Sequence, residues 1–298
     1  MKVVNNMNSI LEAIGNTPLF EFDAYSYAKM EFLNPTGSIK DRIALRMIQD
    51  AIKNNELKEG MEILEATSGN TGIALSMVGK ILGYPVTIVM PENMSKERQQ
   101  MIQAYGGKLV LTPAHLSIEG AVNKVKELYD ASKHYLPSQF SNPSNMLAQQ
   151  ETAKEALKQI GKPVDIFISG IGSGGTLQGM ANILKEANPN CKIIAIEPEG
   201  CSSLKHQPAK PHAIQGIGDG FIPDILDPNI VDEMIEVSDE IAIKHTQELA
   251  IKYGLFCGVS SGANYYGLKL MREKYGKEKV ILTLLPDRGE RYLSEHVF

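Results

Sequence analysis

The 298-residue sequence has few cysteines, no excess of basic charge and no long apolar segment, and each absence excludes a class of protein. Its three cysteines, Cys191, Cys201 and Cys257, are too few for a disulfide framework, which favours a reducing cytoplasm. A formal net charge of −5 gives no general attraction to nucleic-acid phosphates or anionic lipids. The longest apolar runs, such as 86–90 and 280–285, have the length of a strand, whereas roughly 20 residues span a bilayer. We therefore expect a soluble protein that binds neither nucleic acid nor membrane.

The cysteines and histidines do not follow the pattern of a metal site. Cys191, Cys201, His206 and His212 lie near one another in the sequence, but their spacing matches none of the usual short zinc-binding pairs. Cys191 also opens a predicted buried strand. We expect no metal.

Apolar segments of strand length alternate with amphipathic helical segments along most of the chain. Residues 61–66 have the pattern of a buried strand, and residues 71–82 have apolar side chains at helical spacing. Such alternation predicts an α/β fold with parallel sheets and helices on both faces. A polar stretch at 137–145 predicts the boundary between an N-terminal domain, 1–140, and a C-terminal domain, 141–298.

The first loop that can carry chemistry, residues 34–42, contains a lysine at the start of a predicted helix. The apolar spacing of Ile43, Met47 and Ile48 predicts that helix, so Lys40 falls in its first turn. The positive end of the helix dipole disfavours the ammonium form of this lysine and lowers its pKa. Lys40 is therefore either an ordinary solvated side chain or an amine suited to forming a Schiff base.

The second loop, residues 67–72, consists of six small or polar residues between a predicted strand and a predicted helix. Hydroxyl, amide and backbone N–H groups at a helix N-terminus form a receptor for a small carboxylate or phosphate. Ordinary helix capping requires only one or two such residues. The loop therefore predicts a ligand site.

The third loop, residues 170–176, is rich in glycine and also precedes a predicted helix. Three of its glycines satisfy the pattern G-x-G-x-x-G, and Glu197 follows at the end of the next strand, as in a dinucleotide-binding fingerprint. The alternative is a cup of backbone amides for one phosphate, to which the hydroxyls of Ser173 and Thr176 add donors. Both interpretations predict phosphate binding, so the loop alone leaves open the alternative that the protein is an NAD-binding oxidoreductase. A fourth loop, residues 258–263, in isolation predicts only a capped helix start.

In this order and spacing, the four loops resemble those of the cysteine synthases (O-acetylserine sulfhydrylases), which have the type II pyridoxal phosphate fold. The matching motifs cover nearly the whole chain, and they are 14–19, 34–42, 65–72, 139–140, 142–143, 172–176, 197–198, 216–218, 258–262 and 289–294. The resemblance implies two three-layer α/β domains with mostly parallel sheets and the active site between them. It also implies that early residues cross onto the second sheet and that residues 84–130 move when substrate binds.

The resemblance further implies roles for individual residues. Lys40 would form the Schiff base with pyridoxal 5′-phosphate, Asn70 would bond the 3′-oxygen of its ring, and Ser260 would face the pyridine nitrogen. The phosphate would be held by Gly172, Ser173, Gly174, Gly175 and Thr176. The amino-acid substrate would be contacted by Thr67, Ser68, Gly69, Thr71, Gln139 and Gly216.

The implied activity is β-replacement, in which Lys40 removes the α-proton of O-acetyl-L-serine, acetate leaves, and sulfide adds to the aminoacrylate to give L-cysteine. A cystathionine β-synthase and a serine/threonine dehydratase are alternatives within the same fold. The family also implies a homodimer, and its A-type members accept the C-terminal tail of serine acetyltransferase. The isozyme class stays open, because residues 287–298 resemble B-type enzymes whereas 197–200 and 216–223 resemble A-type enzymes.

Overall fold

The computed structural model describes residues 7–67, 69–208, 210–295 and 297–298. Within them the strands are β1 (Leu19–Asp23), β2 (Ser26–Lys29), β3 (Glu62–Ala66), β4 (Val86–Pro91), β5 (Lys108–Thr112), β6 (His134–Tyr135), β7 (Ile166–Gly170), β8 (Lys192–Pro198), β9 (Glu233–Val237) and β10 (Ile281–Leu284). The α-helices are α1 (Lys40–Lys53), α2 (Asn70–Ile81), α3 (Lys96–Ala104), α4 (Ser117–Leu128), α5 (Pro143–Ile160), α6 (Gly175–Ala187), α7 (Asp239–Tyr253) and α8 (Val259–Tyr275). Short 3-10 helices lie at Ile10–Ala13, Glu31–Leu33, Ala114–Leu116, Pro228–Ile230 and Gly289–Glu295.

The strands form two sheets. The larger sheet has the order β1-β2-β10-β7-β8-β9, and only β1 and β2 pair antiparallel. Its centre is β10, where Leu282 lies opposite both Tyr27 of β2 and Phe167 of β7. The smaller sheet, β5-β4-β3-β6, is wholly parallel. The predicted α/β architecture with mostly parallel sheets is confirmed.

Helices cover both faces of the sheets, and the central strands are buried accordingly. Every residue of β4 is buried, as are the last six residues of β8. Strands buried on both faces are continuous apolar runs instead of alternating patterns, which is typical of parallel sheets between helices. This explains why these strands stand out in the sequence.

The carboxyl ends of β3 and β7 lead directly into the N-termini of α2 and α6. In open α/β sheets, ligands bind in the crevice beyond the carboxyl ends of the strands. Here the two crevices face each other, so that residues from both sheets line a common cavity. Lys40, at the start of α1, lies in its wall. Among the described residues, none of the helices has the length and apolar character needed to cross a membrane.

Candidate functional site

The cavity has two adjoining compartments. Both are lined by Lys40, Asn70, Ser173 and Gly216. We call the one that also contains Thr67, Thr71 and Gln139 the outer compartment, and the one that contains Gly172, Thr176 and Ser260 the inner compartment.

Lys40 is the only first-turn lysine of α1 and points its amine between the two compartments. Its Nζ lies 3.4 Å from the Ser173 Oγ at the head of α6. Burial lowers the pKa of Lys40, and the charges of Asp219 and Asp287 offset this effect only in part. Because the neutral amine is the nucleophilic form, this environment prepares Lys40 to react with a carbonyl group.

A buried ionic cluster holds the beginning of α1 in place. Arg42 bonds Glu31 at 2.7 and 2.9 Å and Glu155 at 2.7 and 2.8 Å. Lys29 bonds Glu155 at 2.8 Å. Burial raises the pKa of Glu155, but the bonds and charge of Arg42 outweigh burial and lower that pKa to about 2. The cluster joins β2, α1 and α5, and therefore fixes the helix that carries Lys40.

The head of α6 forms a glycine-lined cup in the inner compartment. A side chain at Gly172 would bring its Cβ to 2.3 Å from the carbonyl oxygen of Gly216. Gly174 is the N-cap residue and has a φ of +80°, a conformation that L side chains rarely adopt. With no side chain at the cap, the first N–H groups of α6 are available to an anion. Gly175 and Thr176 continue this first turn.

Asn145 connects this cup to the outer compartment. Its Nδ2 donates to the Ser173 Oγ at 2.9 Å and to the Gln139 backbone carbonyl at 2.8 Å. Asn145 is almost completely buried. One side chain of α5 therefore positions both the glycine-rich loop and the segment that carries Gln139.

The outer compartment presents hydrogen-bond donors from the head of α2. Thr71 donates from Oγ1 to the Gln139 Oε1 at 2.7 Å, so the Gln139 amide turns its Nε2 donor away from Thr71. Thr67 Oγ1 accepts from the Gly69 N–H at 3.2 Å. Gly69, the N-cap residue of α2, also has no side chain to cap the helix. Ser68, a predicted substrate contact, lies outside the described residues.

Glu65 supports this arrangement from β3, two residues before Thr67. Its Oε2 accepts from the Ser138 N–H at 2.8 Å, and Gln139 donates a second backbone bond. Burial raises the pKa of Glu65 to about 8, although these two bonds act in the opposite direction. Glu65 thus anchors the turn that presents Gln139.

Asn70 is held by the chain segment after β10. Its Nδ2 donates to the Asp287 Oδ2 at 2.7 Å, and the same oxygen accepts from the Tyr292 hydroxyl at 2.7 Å. Arg98 of α3 donates to that hydroxyl at 3.2 Å. Asn70 Oδ1 is buried and has no hydrogen-bond partner among the described residues. A buried orphan of this kind indicates a site for a ligand.

Ser260 lies in the first turn of α8 and lines the inner compartment. It is only 4% exposed. In isolation, its loop predicted only a capped helix start, whereas the structure places it in the cavity wall with the head of α6. Of the sequence-predicted site residues that the structure describes, all but Gly175 line one cavity, and Gly175 lies in the first turn of α6 between two residues that do.

Several residues of the site were not singled out from the sequence. These are Glu65, Arg98, Asn145, Asp219, Asp287 and Tyr292. Glu65, Asp219, Asp287 and Tyr292 have a partial signal, since they lie in stretches already noted, at 65–72, 216–223, 287–298 and 289–294. The other signals depend on contacts between distant parts of the chain. Among the described residues, no cluster of histidine, cysteine, aspartate or glutamate has the composition of a metal site.

Comparison with known proteins finds relatives among pyridoxal-phosphate dependent enzymes. Residues 10–287 match the family described as pyridoxal-phosphate dependent enzyme. Cysteine synthase B of Campylobacter jejuni is 45% identical over 294 residues, covering 97% of this chain and 98% of the relative. A crystal structure of the cysteine synthase (OASS) of Entamoeba histolytica has a TM-score of 0.95 and 40% identity, covering 100% of this chain and 92% of that one. The O-acetylserine dependent cystathionine beta-synthase of Helicobacter pylori has a TM-score of 0.93 and 38% identity, with 99% of each chain covered.

Proposed function

We propose that this chain, which belongs to the pyridoxal-phosphate dependent enzyme family and within it to the cysteine synthases, converts O-acetyl-L-serine and sulfide to L-cysteine and acetate. The observation that carries the proposal is the position of Lys40. Its buried amine lies between two helix N-termini that have no side chain at the cap, one in each compartment. Two anions can therefore bind on either side of one reactive amine.

The inner compartment fits pyridoxal 5′-phosphate. The cup at the head of α6 suits a phosphate, Lys40 supplies an amine, and the buried orphan Oδ1 of Asn70 indicates a missing partner. Gly172 to Thr176 would hold the phosphate, and Ser260 would lie against the pyridine nitrogen. When bound, the cofactor supplies an aldehyde that condenses with amines and an electron sink for bonds at the α-carbon.

Lys40 performs the proton transfers. Burial lowers the pKa of Lys40 and so favours the neutral amine, and Nζ takes the proton from the substrate Cα and later returns it to the same carbon. Between these transfers the Cβ–O bond breaks, acetate leaves, and sulfur bonds to Cβ. Ser260, with a neutral hydroxyl instead of a carboxylate, does not stabilise a protonated pyridine, and this favours β-replacement over transamination.

The outer compartment binds the substrate carboxylate. The Thr67 hydroxyl, the backbone N–H of Thr71 and the Nε2 of Gln139 provide donors at the head of α2, where the helix dipole also favours a negative charge. Ser68 and Gly69 would complete this binding site, and Gly216 would face the substrate from the opposite loop. A carboxylate held here brings the substrate Cα to Lys40.

A second candidate is replacement by a thiol instead of sulfide, which would make the chain a cystathionine β-synthase. The structural match to the Helicobacter pylori enzyme over 99% of each chain favours this candidate. A serine/threonine dehydratase would use the same Lys40 without a nucleophile. The alternative of an NAD-binding oxidoreductase is not supported, because the matched family uses pyridoxal phosphate.

The remaining proposals concern the setting of the enzyme. Cys191, Cys201 and Cys257 are buried and unpaired, which supports a reducing cytoplasm. We propose a homodimer on the basis of the family resemblance. The donors of the outer compartment are also suited to the C-terminal carboxylate of a peptide, which supports the proposed binding of the serine acetyltransferase tail.

The experiment that tests the proposed function begins with borohydride reduction of the purified protein and mapping of the labelled peptide. The label should lie on Lys40, and Lys40→Ala should lose both the visible absorption of the lysine-bound cofactor and cysteine synthesis. Loss of a residue that is both anchor and base should cost several orders of magnitude in rate, and general-base catalysis alone contributes about 100-fold or more.

Lys53→Ala, at the exposed end of the same helix, is the matched control and should behave as the parent protein. Label on another lysine, or full activity of Lys40→Ala, would refute the assignment. Parent protein that carries the label but forms neither cysteine nor acetate from O-acetylserine and sulfide would refute the proposed reaction.

A further inference from the structure

Asp219 introduces a carboxylate into the outer compartment, and the proposed function assigns this carboxylate no proton transfer or ligand contact. It lines the compartment together with Lys40, Thr67 and Thr71. Its carboxylate makes no hydrogen bond to another described residue. A carboxylate cannot donate to the substrate carboxylate or to the leaving acetate, and it repels both. Its partner must therefore be a group that brings a hydrogen.

The backbone holds Asp219 in place independently of its side chain. The preceding residue, Gly218, donates its N–H to the Ile171 carbonyl at 2.9 Å. The carbonyl of Gly218 lies 3.1 Å from the His212 Nε2. The backbone at Gly218 is thus bonded to the glycine-rich loop 170–176 on one side and to His212 on the other. The Asp219 carboxylate takes no part in these bonds and can act on a ligand.

Three cationic or titratable side chains accompany Asp219. Burial raises the pKa of Asp219, and the charges of Lys40 and His212 lower it by less. Arg98 lines the same compartment but bonds Tyr292. A carboxylate with a raised pKa is a stronger base than an exposed one.

We propose that Asp219 is a catalytic base that accepts the proton of the incoming sulfur nucleophile, so that the enzyme uses protonated hydrogen sulfide or neutral thiols as well as their anions. This inference rests on the proposed function. In the step, the S–H bond breaks and its proton goes to a carboxylate oxygen of Asp219. The sulfur electron pair forms the bond to Cβ, and the proton held by Lys40 returns to Cα.

The test compares nucleophiles of different acidity in the holoenzyme and in Asp219→Asn. Hydrogen sulfide and trifluoroethanethiol ionise near neutral pH, whereas 2-mercaptoethanol stays largely protonated there, as a cysteine thiol does with its pKa of about 8.5. General-base catalysis contributes about 100-fold or more, so Asp219→Asn should lose at least that factor with 2-mercaptoethanol. The loss should shrink steadily as the nucleophile becomes more acidic.

Two further variants make the result decisive. Asp219→Glu keeps a base and should recover much of the rate with 2-mercaptoethanol. Asp224→Asn changes an exposed aspartate five residues along the same loop and should have no effect with any nucleophile. An equal loss with all nucleophiles in Asp219→Asn, or no loss, would overturn the proposal.

Acetate release from O-acetylserine without any nucleophile separates this inference from the proposed function. Asp219→Asn should still release acetate, which shows that the variant folds and binds cofactor. Because the charge of Asp219 acts on Lys40, the rate with each nucleophile is compared with the rate of acetate release by the same variant. No acetate release by the parent would refute the proposed function itself. Acetate release by the variant combined with a uniform response to nucleophiles would refute only the role of Asp219.

Discussion

Thr71→Val tests whether a hydrogen bond between two side chains orients the donor that binds the substrate carboxylate. The substitution keeps the shape of the side chain and removes the hydroxyl that donates to the Gln139 Oε1 at 2.7 Å. Both residues are buried, at 2% and 5% exposure, so water does not replace the lost donor freely. The Gln139 amide then rotates to satisfy its oxygen and no longer presents Nε2 to the substrate.

The expected loss is that of one hydrogen bond to a charged group, about 1.5–3 kcal/mol, or roughly a 10–150-fold weaker affinity. The measurement is titration with L-alanine, which has the carboxylate and amine of the substrate but no leaving group. Binding is followed through the absorption of the bound cofactor. The absorption of the free holoenzyme should not change, because Thr71 lines only the outer compartment.

Thr246→Val is the matched control for this substitution. Thr246 is fully buried in α7 and its hydroxyl donates to the Ala242 carbonyl at 2.8 Å. It should lose about 1 kcal/mol of unfolding free energy, the net value of one hydrogen bond, and keep the parent affinity for L-alanine. Unchanged affinity in Thr71→Val, or an equal change in both variants, would show that the reasoning about Gln139 is wrong.

Two further predictions concern the supports of the site. Tyr292→Phe removes the hydroxyl that donates to Asp287, weakens the positioning of Asn70 by Asp287 and should shift the absorption of the bound cofactor. An unchanged absorption spectrum would contradict the connection from Tyr292 to Asn70. Glu155→Gln breaks buried ion pairs and should lower the unfolding free energy by about 3 kcal/mol at neutral pH. The control Glu151→Gln, which breaks the exposed ion pair with Lys154, should change the unfolding free energy by less than about 1 kcal/mol. Because the pKa of Glu155 is lowered from 4.5 to about 2, the stabilisation that the ionised Glu155 gives is complete above about pH 4.5 and is lost as the pH falls towards 2. In denaturation experiments, the difference in unfolding free energy between Glu155→Gln and the parent should therefore disappear near pH 2.

The strand–helix units that carry the site could be predicted from the sequence because each rule acts locally. The strands before α2 and α6 each contain consecutive buried apolar residues, Ile63 and Leu64 in β3 and Ile166 to Ile168 in β7, and the glycines that follow mark the turn into each helix. Ser238 caps α7 as its sequence position predicts. Burial on both faces makes such segments recognisable without knowledge of their neighbours.

The edge strands could not be predicted in the same way. β9 contains two glutamates and three apolar residues without regular alternation and is mostly half-buried, and its partner β8 determines that it is a strand. β6 has only two residues and exists through its pairing with β3. Such short or half-exposed strands have little intrinsic signal, because cross-strand packing supplies most of their stability.

The contacts of the site depend on topology in a similar manner. Lys40 contacts Ser173 across 133 residues, and Asn70 contacts Asp287 across 217. Residue type and loop position indicate that Lys40 and Asn70 are candidates, but no local rule indicates their partners. The resemblance to a family provides the roles, and the fold provides the distances.

The connection from Arg98 to Asn70 explains how substrate and cofactor binding can act on each other in this chain. Arg98 belongs to α3, within the 84–130 segment that is predicted to move. Its aliphatic portion packs closely over Gly69, so that a Cβ atom added at Gly69 would lie 2.8 Å from the Arg98 Cδ. The same arginine bonds Tyr292, whose hydroxyl shares the Asp287 oxygen with Asn70. A displacement of α3 would therefore change the substrate loop at Gly69 and the hydrogen bonds around Asn70 together. Because both effects pass through one side chain, we expect the state of the outer compartment to affect that of the inner compartment without any contact between substrate and phosphate.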